Sequence, residues 1–283
     1  MKKIIGLLRL IRSNKEAIVG GIIVAVFLLI ALSVATCNLL GIQITPYDPI
    51  QQNVGPIAAA PSLAHLMGTD LQGRDLFSRV MVATPNDMAV SLAVVGFALA
   101  SGAIIGSVAA LRGGFFDEVL MRFTDVIFAL PAVVIAMAIA INLGPGVTHM
   151  MIALMIIWWP PYARLARGEA LRVTHQNYIE AARLSGAGTV KILFKHVLRG
   201  ILVTMLVYAT LDIGTVILVY AGLSYLGLSV RPPIPDWGEM VSTYQDYLIT
   251  APWLAVIPGL IISLVVVGFS LLGDGIRDAL EVR

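Results

Sequence analysis

The sequence predicts an all-α membrane protein with six transmembrane helices. Hydrophobic residues make up 58% of 283 and charged residues only 13%, a balance foreign to soluble domains. The apolar residues also gather in runs close to the roughly 20 needed to cross a bilayer, and Lys and Arg cluster at the ends of those runs. The runs are Ala17 to Cys37, Met88 to Leu111, Val119 to Leu143, Thr148 to Leu165, Gly200 to Leu228 and Pro252 to Gly273. An even number of crossings puts both termini on one side.

Each element has a local reason. Residues 1–16 alternate Leu and Ile with Lys and Arg at helical spacing, which suits an amphipathic helix on the inner leaflet, with lipid as its partner. The run 17–37 follows a basic flank, as a signal peptide would, but is longer than most such cores and lacks a small-x-small cleavage site, so it reads as a retained span. Residues 38–87 form a polar segment broken by Pro46, Pro49, Pro56 and Pro61. Residues 88–273 then read as a five-helix core, interrupted by a polar loop over 166–199 and an outer segment over 229–251, and residues 274–283 as a tail.

Orientation follows from the cations. With the N-terminus inside, only Arg74, Arg79 and Arg231 of the 19 Lys and Arg fall outside, so the termini and the 166–199 loop are expected in the cytoplasm. In the outer segment, Pro232, Pro233 and Pro235 cannot continue a helix. The chain must turn sharply there into a re-entrant or capping element, and Trp237, Tyr244, Tyr247 and Trp253 are expected at the membrane interface.

The cytoplasmic loop holds the sequence's strongest functional signal. Asn177 to Leu184 has the length of two helical turns, Ser185-Gly186-Ala187-Gly188 can break them, and Thr189 can cap a second helix to Leu198. Such a knob would present Ala181 and Ala182 for close approach, Ile179 and Leu184 for apolar contact, and Glu180 and Arg183 as a charged rim. An ordinary basic loop explains the composition equally well.

Other chemistry is sparse. The stretch Gly186 to Lys191 lacks the Gly-x4-Gly-Lys-Ser/Thr spacing that cradles phosphates. His65, His149, His175 and His196 never share a helical face as ligands, Met150, Met151 and Met155 read as gap-fillers, and Cys37 is the sole cysteine. No Ser/His/Asp or HExxH arrangement points to an enzyme, and a net charge of +2 gives no case for nucleic acid. Inside the spans, Asp212 stands out: it can line a solute path and meet a cationic group, or bond a Ser, Thr or Tyr of a second subunit. Asp125 is expected to pair with Arg122 or Arg164. Asp70, Arg74 and Asp75, in the turn-rich Gly68 to Asp75 stretch, are expected to pair among themselves, and Asp236, Trp237 and Glu239 to shape an outer gate or a docking surface.

Several of these motifs occur together, in order, over roughly residues 65 to 281: Gly68-Thr69-Asp70-Leu71-Gln72-Gly73-Arg74-Asp75, Arg112-Gly113-Gly114 with Asp117 and Met121-Arg122, Tyr162-Ala163-Arg164, Glu180-Ala181-Ala182 with Gly186, Leu223-Ser224-Tyr225-Leu226-Gly227-Leu228, and Leu272-Gly273-Asp274-Gly275-Ile276-Arg277-Asp278. The set resembles the second permease subunit of the dipeptide, oligopeptide and nickel group of binding-protein-dependent ABC importers. That resemblance implies the type I importer permease fold in a prokaryotic plasma (inner) membrane, with Glu180, Ala181, Ala182, Arg183 and Gly186 on a coupling helix that docks in a cytoplasmic ATPase subunit. It implies a heterodimer with a homologous permease, two ATPase subunits that bind ATP and Mg, and an extracytoplasmic binding protein. This chain itself would carry no cofactor and no metal.

The solute implied is a di- or oligopeptide, with nickel or metal-chelate complexes, glutathione and oligosaccharides as alternatives within the group. An ion-coupled secondary transporter is the reading from another class, and it would call for broken helices or several intramembrane charges. Two departures from the group's pattern stand out. Leu198 is followed by Arg199 rather than proline, which leaves Gly200 to supply a kink, and Ala83 to Met88 replaces a more usual basic and apolar run.

Overall fold

The structure is a computed structural model and describes residues 14–281. Most of the expected amphipathic segment 1–16 therefore lies outside the described residues. The helices are α1 (Lys15–Leu39), α2 (Leu76–Arg112), α3 (Gly114–Phe128), α4 (Ala132–Leu143), α5 (Val147–Thr174), α6 (Asn177–Leu184), α7 (Thr189–Ile192), α8 (Leu198–Tyr225), α9 (Trp237–Tyr244) and α10 (Trp253–Glu281). No strand occurs among the described residues; Thr69 and Asp75 form one isolated antiparallel bridge.

Four helical runs have the length and composition to cross a membrane: α1, α2, the continuous run Thr189–Tyr225, and α10 as far as Ala279. A fifth candidate is bent, because α3 and α4 meet at 83°. The sequence reads Val119 to Leu143 as one straight span; Pro131, which has no N–H and crowds the carbonyl four residues back, sits at the break. α5 is apolar over its first half and then carries Arg164, Arg167, Glu169 and Arg172. By length and composition, four runs and one bent pair thus qualify among the described residues, against the six expected.

α2 also differs from expectation. It starts twelve residues before Met88, because the Asp75 carboxylate caps it by accepting from the Ser78 backbone N–H at 2.8 Å. Pro85 is carried inside this helix. The replaced run Ala83 to Met88 is therefore helical, well within the span rather than at its threshold.

Two apolar cores hold the helices. The first joins α2, α5 and α8 through Val90, Val94, Leu154, Tyr162, Ile201 and Met205, and the small buried residues Ala98, Ala163 and Ala166 allow close helix contact. The second joins α1, α10, the outer end of α2 and α9 through Phe27, Leu76, Trp237, Met240, Leu254 and Phe269. One core anchors the loop that follows α5, and the other anchors the segment that follows α8.

Candidate functional site

The loop that follows α5 forms the first helix of the knob, α6, as its residues suggest, whereas Gly188 rather than Thr189 is the N-cap of α7. α6 ends at Leu184, and Gly186 takes a φ of +80°, a left-handed conformation that L side chains rarely adopt. This lets the Gly186 N–H donate to the Arg183 carbonyl and the Ala187 N–H donate to the Ala182 carbonyl, both at 3.0 Å. The pair of bonds closes the helix end in a Schellman arrangement. Glu180, Ala181 and Arg183 are exposed, and Ala182 is half-buried. Leu184 is 87% exposed, whereas Ile179 is fully buried and anchors α6 in the first core, so it offers no contact surface. Beneath the knob, Glu180 and Arg183 line a cavity of about 350 Å³ with His175, Gln176 and Thr174.

The kink expected at Gly200 does not occur there. Leu193–Val197 forms a π-helical turn, and Leu198 then continues in ordinary α geometry at φ −57° and ψ −38°. A π turn inserts one extra residue and reorients a helix without proline, so α7 runs on into α8 as one helical segment, Thr189–Tyr225.

At the opposite end the outer segment folds into a lid, α9, laid on the spans. Asp236 caps it, accepting from the backbone N–H groups of Gly238 at 2.9 Å and Glu239 at 3.2 Å. The same carboxylate accepts from Tyr220 at 2.9 Å, from Ser229 at 3.2 Å and from Ser224, which ties the lid to α8. A Cβ on Gly238 would lie 2.1 Å from the Ala221 carbonyl oxygen, so only glycine permits this approach. Trp237 is fully buried, packs edge-on against Phe27 with ring centres 6.0 Å apart, and donates its indole N–H to the Val80 carbonyl at 3.2 Å. Trp237 and Tyr244 are therefore core residues, which corrects the interfacial role expected of them.

Charged groups fasten the lid to the preceding outer segment. Arg74 donates to Asp70 at 2.5 Å, and the Tyr244 hydroxyl donates to the same carboxylate at 2.8 Å. Arg79 lies 3.9 Å from Glu239 and donates to the carbonyls of Pro49 and Pro233. Burial pushes the Glu239 carboxyl above its ordinary range, opposed by the Thr243 hydroxyl and the Arg79 guanidinium. Asp70 and Arg74 pair as expected, but Asp75 bonds His65 at 2.9 Å and caps α2 instead. Asp87 is also buried, and no side-chain donor among the described residues reaches either of its carboxylate oxygens.

Between knob and lid lies Asp212, halfway along α8. Trp158 Nε1 and the Tyr162 hydroxyl, both from α5, donate to its Oδ2 at 2.6 and 2.8 Å. These two bonds join α5 to α8. Asp125 pairs with Arg164, one of the two partners expected for it, and Asp117 holds Arg167 through two bonds of 2.6 Å.

Long apolar helices define a polytopic membrane protein. Residues 102–283, more than half of the chain, match the family of binding-protein-dependent transport system inner membrane components. The chain belongs to that family: it is a multi-pass inner membrane component of a transport system and not itself an enzyme. It is 40% identical over 237 residues to the probable D,D-dipeptide transport system permease protein DdpC of Escherichia coli K12, covering 84% of this chain and 80% of that one. It is 41% identical over 245 residues to the glutathione transport system permease protein GsiD of Escherichia coli O157:H7, covering 85% and 80%. It is 36% identical over 273 residues to the dipeptide transport system permease protein DppC of Alkalihalophilus pseudofirmus, covering 96% and 88%.

Proposed function

We propose that this chain forms half of the translocation path of an ATP-driven importer for di- or oligopeptides, glutathione included. One observation carries the path assignment. Thr204, Tyr208, Asp212 and Thr215 fall on one face of α8 and are all at least partly exposed. Polar groups facing lipid at this depth are costly, so the stripe calls for a polar lumen shared with a second, homologous permease. The knob is the coupling element. Glu180, Ala181, Ala182 and Arg183 meet a cytoplasmic ATPase, Gly186 sets the angle, and two ATPase subunits that bind ATP and Mg drive the cycle.

The lid, capped by Asp236 and held by Trp237 and Glu239, shapes the outer gate beneath an extracytoplasmic binding protein. Their burial favours a gate-building role over direct docking. In this assembly α5 and the bent α3–α4 pair complete six crossings, with both termini cytoplasmic. The names of the relatives, all permeases for peptides or glutathione, support the solute class. Proteoliposomes containing both permeases, the ATPases and the binding protein should take up a dipeptide only with ATP. Uptake that persists without ATP, in vesicles holding this chain alone, would instead mark an ion-coupled transporter.

A further inference from the structure

We propose that Asp212, oriented by Trp158 and the buried Tyr162 and flanked by the exposed ring of Tyr208, forms a site within the membrane for a primary ammonium group, of the kind a free peptide amino terminus carries. The inference rests on the importer reading and adds a recognition element to it. Its first support is the pattern of bonds. Two neutral donors, Trp158 Nε1 at 2.6 Å and the Tyr162 hydroxyl at 2.8 Å, both address Oδ2. They fix the direction of the carboxylate without cancelling its charge.

The second support is the contrast with neighbouring carboxylates. Asp117 and Asp125 each have an arginine, Arg167 and Arg164. Among the described residues no basic side chain forms an ion pair with Asp212. A carboxylate in the middle of a span with no resident counter-charge is expensive. That arrangement suits a site whose cation arrives and departs, because a permanent arginine would compete with it.

The third support is the surroundings. The Tyr162 and Tyr208 rings meet edge to face with centres 5.0 Å apart, and Tyr208 is exposed on the polar face of α8. Aromatic faces attract cations, most strongly where water is scarce. A carboxylate oxygen adds an acceptor that requires an N–H, which favours a primary ammonium over a quaternary one. Tyr208 also lines a cleft of about 600 Å³ with Thr204, Leu211, Glu169, Arg172 and Arg277, so Tyr208 links the carboxylate to a space whose two arginines suit the carboxylate end of a small peptide rather than its ammonium.

The test uses the assembled importer in nanodiscs and two probes, alanyl-alanine and N-acetyl-alanyl-alanine. The signal is the part of the tryptophan fluorescence that Trp158→Phe removes. Alanyl-alanine should change it saturably, and the acetylated peptide should need at least about tenfold more for the same change, the worth of one charge-assisted bond. Asp212→Asn should erase that discrimination, and Asp212→Glu should restore most of it. Equal responses to the two peptides, no response to either, or discrimination that survives in Asp212→Asn would overturn the proposal. Equal responses are also what a cation from the second permease, seated permanently on Asp212, would give. ATP-driven uptake of alanyl-alanine is measured separately. If uptake is normal while discrimination is missing, the ammonium site falls and the importer reading stands.

Discussion

The knob and the lid are both short helices joined to α8, yet they are built on opposite principles. The lid turns its polar and aromatic residues inward: Asp236 is saturated by hydroxyls and backbone N–H groups, and Trp237 is fully buried. The knob turns its signature outward: Glu180 and Arg183 are exposed, with Ile179 buried as its anchor. A buried residue acts mainly through the stability of its own chain, and an exposed one acts mainly through what it touches. The difference teaches that two motifs of similar length in the sequence report to different measurements.

That contrast can be broken or sharpened by substitution. The largest effect is expected at the lid, where Gly238→Leu drives a side chain into the α8 backbone. It should cost more than about 3 kcal/mol and leave little folded protein on detergent extraction. Folding as in the wild type would mean that the lid can lift off α8. Next comes Arg79→Met, which strips a buried guanidinium from Glu239 and from two carbonyls. A loss of about 3 kcal/mol, read as a lower thermal midpoint of the purified subunit, is expected.

At the knob the readout should switch. Gly186→Trp has open space around its Cβ but a φ of +80°, so the subunit should lose only about 1 kcal/mol while ATP-driven uptake is abolished. Glu180→Lys should leave the thermal midpoint within the scatter of surface changes, about 0.5 kcal/mol, and still uncouple ATP hydrolysis from uptake. Normal uptake by either variant at normal expression would remove the knob from the coupling path.

The knob was legible because its determinants are local. A glycine at the position needing positive φ, and the alanine pair before it, can be read along the chain without knowing what lies opposite. The lid was only half legible. Its prolines and Asp236 mark a turn and a cap, but Trp237 and Tyr244 look like interfacial aromatics until Phe27 and Asp70, distant in sequence, are brought beside them. The early start of α2 has a local signal in Asp75, whose carboxylate suits a helix cap as well as an ion pair. The bend at Pro131 was harder to read, since Pro85, Pro160, Pro161 and Pro258 all sit inside helices. A proline shows where a helix can yield, and the surrounding packing decides whether it does. Asp212 was visible as an isolated intramembrane charge, whereas its hold by Trp158 and Tyr162 arises only once α5 and α8 are packed together.

The unbroken run from Thr189 to Tyr225 gives α8 the character of a connecting rod. It is 37 residues long, or about 55 Å at helical rise, with the knob at one end and the lid, through Ser224 and Ala221, at the other. A helix hardly stretches, so a push on the inner end is delivered to the outer end at nearly full stroke. The π turn near its base can alter the angle of that stroke without shortening it. In the importer proposed above, opening on one face and closing on the other then need no separate messenger.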